Sequence, residues 1–225
     1  MKVGLLIIAT NKYDVFLQPL ISSADEYFLK DQDVTYFIFT DKKINIDTNR
    51  KYKIINIVHR EWPWMTLGRY KIFTENYKEL INMDYLYYCD ADMKFVDIVG
   101  DEILSDLVGT QHCGYYNVRG TPETNNASLA CVYSNEEMQY FAGGFNGGSK
   151  DNYLKMAKVL SNNIDIDYSN GIIAIWHDES HINRYFINNK PTKILDPGYC
   201  FHENSNRPFR KRLIALDKNH SEIRL

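Results

Sequence analysis

A chain of 225 residues, 44% of them hydrophobic, can bury one sizeable core, and one α/β domain spanning residues 1–225 accounts for it more simply than two. A net charge of −3 and a pI near 6.1 leave no electrostatic footprint for nucleic acid. No apolar run reaches membrane-spanning length, and four widely spaced cysteines without a CxxC pair argue against zinc or a disulfide framework, so the expectation is a soluble, cytoplasmic protein with reduced thiols.

Residues 3–9 are almost continuously apolar, which predicts a buried strand of a largely parallel sheet. The run is too short for a signal core and lacks a cleavage site. A loop at Thr10, Asn11, Lys12 and Tyr13 precedes a helix in which Phe16, Leu17, Leu20, Ile21, Ala24, Phe28 and Leu29 recur at helical spacing. Asp31, Gln32 and Asp33 read as a solvated turn, and strands follow over residues 34–40 and 53–58. Trp62, Pro63 and Trp64 break the pattern. Leu67, Tyr70, Phe73, Tyr77, Leu80 and Ile81 then predict one helix leading into a strand at Tyr85, Leu86, Tyr87, Tyr88 and Cys89.

Asp90 and Asp92 arrive as that strand ends. On extended backbone, i and i+2 face one side, so the two carboxylates converge at a strand tip. Oxygen donors there suit a divalent cation that bridges to a diphosphate. The same residues also suit a plain turn with exposed acids, since an Asp-x-Asp pattern occurs twice more, at 31–33 and at 165–167, where a polar stretch reads as loop.

Further on, Ile98, Ile103, Leu104 and Leu107 suggest a short helix, and Gly109, Thr110, Gln111 and His112 resume the sheet. Residues 116–135 are polar and aperiodic, a loop long enough to be functional or mobile. Residues 140–149 carry four glycines, which permit close backbone approach to a ligand or a tight turn; the spacing is not that of a phosphate-binding P-loop. A helix over residues 153–160 and another opened by His177, Asp178 and Glu179 follow; acids there also suit helix capping. The basic cluster Arg207, Arg210, Lys211 and Arg212 reads as solvated surface, with a diphosphate-facing role as the alternative, and the end of the tail has a disordered composition.

Several segments in register carry a family resemblance over nearly the whole chain: Ala9-Thr10-Asn11-Lys12-Tyr13, Tyr36-Phe37-Ile38-Phe39-Thr40-Asp41, Asp90-Ala91-Asp92-Met93, His112-Cys113-Gly114-Tyr115-Tyr116, Gly147-Gly148, Trp176-His177-Asp178-Glu179-Ser180-His181, and Lys218-Asn219-His220 with Arg224. The chain resembles glycosyltransferase family 6, which contains the blood-group A and B transferases and α1,3-galactosyltransferase; Cys113 stands where the family usually has proline.

The resemblance implies a GT-A fold with a mixed, mainly parallel sheet flanked by helices, a UDP-sugar donor, and retaining transfer to the 3-hydroxyl of a β-galactoside. It places Mn²⁺ on Asp90 and Asp92. Donor contacts fall at Ile8, Ala9, Thr10, Tyr13, Arg69, Asp90, Ala91, Asp92, Ala142, Gly143, Gly144, Asp178, Lys218 and Arg224. The acceptor falls to His112, Trp176 and Glu179, with Glu179 also the catalytic carboxylate. A segment of about residues 210–225 closes over the diphosphate. Small residues at 142 and 144 point to UDP-GalNAc, with UDP-Gal as the alternative. The absence of the mammalian anchor and stem suggests a soluble microbial or viral-type member. A non-catalytic glycan or nucleotide-sugar binding module and a sugar-nucleotide hydrolase are the rival readings.

Overall fold

The computed structural model describes residues 1–223, apart from the side chains of His220 and Ser221; the donor role assigned to Arg224 lies outside the described residues. Along the chain run β1 (Lys2–Ile8), α1 (Leu17–Tyr27), β2 (Asp33–Thr40), β3 (Lys51–Asn56), α2 (Trp64–Leu67), α3 (Arg69–Glu75), α4 (Tyr77–Leu80), β4 (Tyr85–Cys89), β5 (Met93–Phe95), β6 (Leu107–Gln111), β7 (Phe141–Ser149), α5 (Lys150–Ser169), α6 (Asp178–Asn188), β8 (Lys193–Leu195), β9 (Phe201–His202), β10 (Leu213–Ala215) and α7 (His220–Ile223). Among the described residues, seven strands form one mixed sheet in the order β3-β2-β1-β4-β7-β6-β8. The first four are parallel neighbours, β7 runs antiparallel to β4 and β6, and β8 pairs parallel with β6. This is the α/β class the sequence predicts. A small second sheet, β5-β10-β9, ties the chain's last strand to the segment after β4.

The central strands are apolar on both faces because both faces are covered. Val3, Leu5 and Ile7 of β1 join Leu17, Leu20, Ile21 and Ala24 of α1 in one core. Leu6 of the same strand joins Phe73 of α3 and Tyr153, Met156 and Leu160 of α5 in the other. Burying each such side chain fully contributes about 1.5–3 kcal/mol, so this three-layer stack fixes where the strand ends lie.

Five local expectations change. The glycine-rich stretch is not a tight turn but β7, buried along almost its whole length inside the sheet. Its later glycines exist for packing: a Cβ at Gly147 would lie 2.2 Å from the Tyr87 ring and 2.6 Å from Leu86 O, and one at Gly148 would lie 2.3 Å from Asp106 O. The helix predicted over 67–81 is three short helices, divided at Gly68 and at Asn76, whose side chain donates to Ile72 O at 2.8 Å and caps the ladder there. Residues 165–167 are helical, because α5 continues past Leu160 with Ile164 and Asp167 on its buried side. Around Ile98 and Leu104 only a 3₁₀ turn at Asp101–Ile103 forms, since Leu107 already belongs to β6. A second 3₁₀ turn, Asn11–Phe16, replaces the loop after β1.

At the C-terminal end the basic cluster lies on the surface, with Arg207, Arg210 and Lys211 exposed, while the tail beyond it differs. Arg210 pairs with Asp97, Arg212 lies 3.7 Å from Asp196, and the Lys211 ammonium sits 4.8 Å from the Phe201 ring centre. These cations fasten the tail and line neither active-site cleft. Beyond β10 the chain turns back over the sheet, and α7 forms where the composition suggests disorder.

Candidate active site

The carboxyl ends of β1, β2 and β4 open on one side of the sheet, where open α/β sheets hold ligands. β1 delivers Ile8, and Thr10 follows. β4 ends at Cys89, and Asp90 to Asp92 form the turn into β5, closed by Met93 N donating to Asp90 O at 3.2 Å. The two aspartates therefore come together through a turn rather than through extended backbone. From the antiparallel side β7 supplies Ala142, Gly143 and Gly144, and Asp90 N donates to Gly144 O at 2.9 Å, which locks the turn to β7. The first turn of α6 supplies Asp178 and Glu179.

These elements frame two adjoining clefts. Ile8, Thr10, Tyr13, Arg69 and Ala91 line the first, together with His59 and Trp62. His112, Ala142, Gly144 and Glu179 line the second, with Cys200 and His202. Asp90, Asp92 and Lys218 line both and so stand at the junction. Among the described residues, four predicted ones line neither. Ala9 is buried under the first cleft, its N–H on Phe39 O at 2.9 Å. Gly143 and Asp178 are buried, and both contact Arg69, which lines the first cleft. Trp176 is half exposed at its rim, and its indole donates to Thr121 Oγ1 at 2.8 Å. The Thr121 hydroxyl also donates to Tyr115 OH at 3.4 Å, and Tyr115 stacks on His112 at 4.9 Å, so contacts run unbroken from Trp176 to His112.

Arg69 organises the junction. Its guanidinium, 6% exposed, donates to Asp90 Oδ1 at 3.0 Å and to Gly143 O at 3.0 Å and lies 2.9 Å from Asp178 Oδ2. The Tyr88 ring lies 3.9 Å beneath it, and the Tyr88 hydroxyl donates to Asp90. Burial opposes the Arg69 charge, yet Asp178, Tyr88 and Asp90 more than compensate and hold its pKa well above the usual value. Asp178 is pushed up to about 6 by burial, against the pull of Arg69. Burial likewise raises Glu179 to about 7, although Gly143 N donates to its Oε2 at 2.8 Å. Asn183 fixes the start of α6, bridging Phe141 N, Phe141 O and Glu179 O at 2.8–2.9 Å. His112 is lowered by burial and then by His202; its Nδ1 accepts from Gly114 N at 3.0 Å, which leaves the neutral ring an Nε2–H donor.

A hard cation fits Asp90 and Asp92. Arg69 and Tyr88 take up Asp90 Oδ1, and Lys218 pairs with Asp92 Oδ2. Asp90 Oδ2 and Asp92 Oδ1 engage in no hydrogen bond among the described residues. Among those residues no group of three His, Cys, Asp or Glu side chains gathers at one point, so a cation held by Asp90 and Asp92 would draw its remaining oxygen ligands from elsewhere.

Tyr88, Cys200, Thr121, His59 and Trp62 were not singled out from the sequence. Tyr88 was within reach of the i, i+2 rule that paired Asp90 with Asp92. Thr121 lies in the loop that the sequence marks as functional or mobile, although nothing local picks out that residue, and Cys200 comes from a distant segment with no local signal.

The family model for glycosyltransferase family 6 matches residues 1–225. The chain belongs to glycosyltransferase family 6. It is 35% identical over 237 aligned positions to histo-blood group ABO system transferase 1 of Rattus norvegicus, an alignment that covers 99% of this chain and 68% of the relative. It is 33% identical over 236 positions to globoside alpha-1,3-N-acetylgalactosaminyltransferase 1 of Homo sapiens, again covering 99% and 68%. The counterpart from Gallus gallus is 31% identical, over 99% and 69%. This family 6 chain is a glycosyltransferase, its partners a nucleotide-sugar donor and a glycan acceptor, and its seven-stranded sheet flanked by helices is consistent with a GT-A type fold. No helix among the described residues is long and apolar enough to cross a membrane.

Proposed function

We propose that this protein transfers N-acetylgalactosamine from UDP-GalNAc to the 3-hydroxyl of a β-galactoside with retention at the anomeric carbon, and that Asp90 and Asp92 hold a Mn²⁺ ion. The observation that carries the reading is the joining of two clefts at Asp90, Asp92 and Lys218, with Glu179 in the wall of the second. A nucleotide fits the first cleft and its sugar the second, so the bond between sugar and diphosphate lies at the junction. When bound, the cation supplies positive charge to the departing diphosphate.

The chain's own residues do the rest. Glu179 presents a carboxylate whose Oε2 is held by Gly143 N, in position to face the anomeric carbon. It either attacks that carbon or stabilises the positive charge that develops there; both routes need it ionised. Asp178, buried against Arg69 and in neither cleft wall, steadies the guanidinium that holds Asp90. His112 donates from Nε2 to an acceptor hydroxyl, and Trp176 offers an aromatic face to a sugar ring. Lys218 can exchange Asp92 for a phosphate oxygen as the tail settles over the donor, which also excludes water.

The resemblance favours the acetamido sugar through the small residues Ala142 and Gly144, both of which line the second cleft. The space a Cβ would take at Gly144 is already filled by Asp90 Oδ2 and Cys200 Sγ, at 2.9 and 3.1 Å. Two of these relatives are named as N-acetylgalactosaminyltransferases, in line with that donor. UDP-Gal is the second donor reading. The test is a screen of UDP-GalNAc and UDP-Gal against a panel of β-galactosides, with Mn²⁺ and with EDTA. GalNAc transfer lost in EDTA is the expected result; a preference for UDP-Gal of about tenfold or more overturns the donor assignment.

A further inference from the structure

Of the three Asp-x-Asp patterns, the one at 165–167 has no part in the chemistry above, yet Asp167 is 2% exposed and fully engaged. Its carboxylate accepts from Ser128 Oγ at 2.6 Å and from Leu129 N at 2.8 Å, which fastens the long loop after β6 to α5. A second buried carboxylate, Glu123 at 8% exposure, accepts from Asn125 N at 2.7 Å within that loop and from Ile175 N at 2.7 Å in the segment before α6. Two residues before Glu123, Thr121 accepts from the Trp176 indole, so Thr121 and Glu123 grip two consecutive residues, Trp176 and Ile175. His181 stands 3.6 Å from Asp167 and is lowered to about 4 by burial, so a neutral ring sits beside the two carboxylates. The loop is thus a built wall rather than a mobile flap.

We propose that Glu123 and Asp167 are positioning residues for the acceptor: Glu123 sets the Ile175–Trp176 segment against Thr121, and Asp167 holds the loop that carries Glu123. Neither touches the donor clefts. The inference rests on the acceptor reading of Trp176 and His112. A carboxylate is needed at each point because both oxygens accept from N–H or O–H donors. An amide in its place turns an N–H toward one of those donors and breaks the grip while conserving volume.

The experiment compares Glu123→Gln, Asp167→Asn and the milder Ser128→Ala with the parent in the full chain, under steady-state kinetics and amide hydrogen exchange. The expected result is an acceptor KM raised about tenfold, donor KM and acceptor-free hydrolysis of UDP-GalNAc within about twofold, and faster exchange confined to residues 121–132 and 172–176. Faster exchange with an acceptor KM within twofold overturns the positioning role, and unchanged exchange in those segments overturns the clamp. Where Asp167→Asn does not fold, Ser128→Ala and Glu123→Gln carry the same two readouts. If the parent transfers to no galactoside, the proposed function fails by itself, and the exchange data still decide whether the carboxylates hold the wall.

Discussion

Glu179 carries its charge where burial resists it, and both its chemistry and its cost follow. Its pKa of about 7 lies above the ordinary 4.5, so folding favours the protonated acid. Charging it costs nothing below pH 4.5; the cost grows as pH rises from there and is complete above about 7. Glu179→Gln removes that cost. Thermal unfolding should show the variant more stable than the parent at pH 8, by about 1–3 kcal/mol once partial solvent exposure is allowed for, and equal to it near pH 4. Transfer should fall about 10²–10⁴-fold in the same variant while UDP binding, followed by calorimetry, is unchanged. In the parent, kcat should rise with pH through about 7 as the carboxylate forms, a limb that a rate–pH profile reads directly. Gly144→Ala presses a methyl against Asp90 and Cys200, so steady-state kinetics should show transfer from both donors falling by about tenfold or more.

The elements differ in how plainly their sequences announced them. β1, β2 and β4 were legible because a strand covered on both faces is apolar throughout, and α1 and α6 because their buried residues recur at three and four. β7 was hidden: glycine has no side chain with which to show burial, and the reason for Gly147 and Gly148 lies in Tyr87 and Asp106, which only the fold brings near. Gly147→Ala should therefore destabilise the fold by about 1–3 kcal/mol or more, measured by urea unfolding, because Leu86 O is backbone and cannot move aside. The end of α5 was readable in principle, since Tyr153, Met156, Ala157, Leu160, Ile164 and Asp167 keep one helical face; two acids in a polar stretch masked it. At the site, the aspartate pair and the head of α6 were visible as motifs. Arg69's simultaneous hold on Asp90, Gly143 and Asp178 joins three distant segments, and no local pattern encodes it.

At the scale of the whole molecule, the sheet brings four separate strand and helix ends to one junction, and the tail returns across it. Lys218 pairs with Asp92, and Lys12 donates to Glu222 O at 2.9 Å, so the last described residues already rest on the nucleotide side. On the proposed reading a divalent cation would share Asp92 with the Lys218 ammonium, and a donor diphosphate would offer that lysine a further partner. Lys218→Ala should weaken UDP binding in Mn²⁺ by about tenfold or more, read by calorimetry, with little change in EDTA. On the proposed reading, one junction, with Glu179 beside it, moves the sugar without inverting it. The most direct measurement is proton NMR of the product formed from UDP-GalNAc and a β-galactoside in Mn²⁺. An α-linked GalNAc on the galactose 3-position, absent with Glu179→Gln, is the predicted result; a β-linked product, or free GalNAc alone across the galactoside panel, would contradict it.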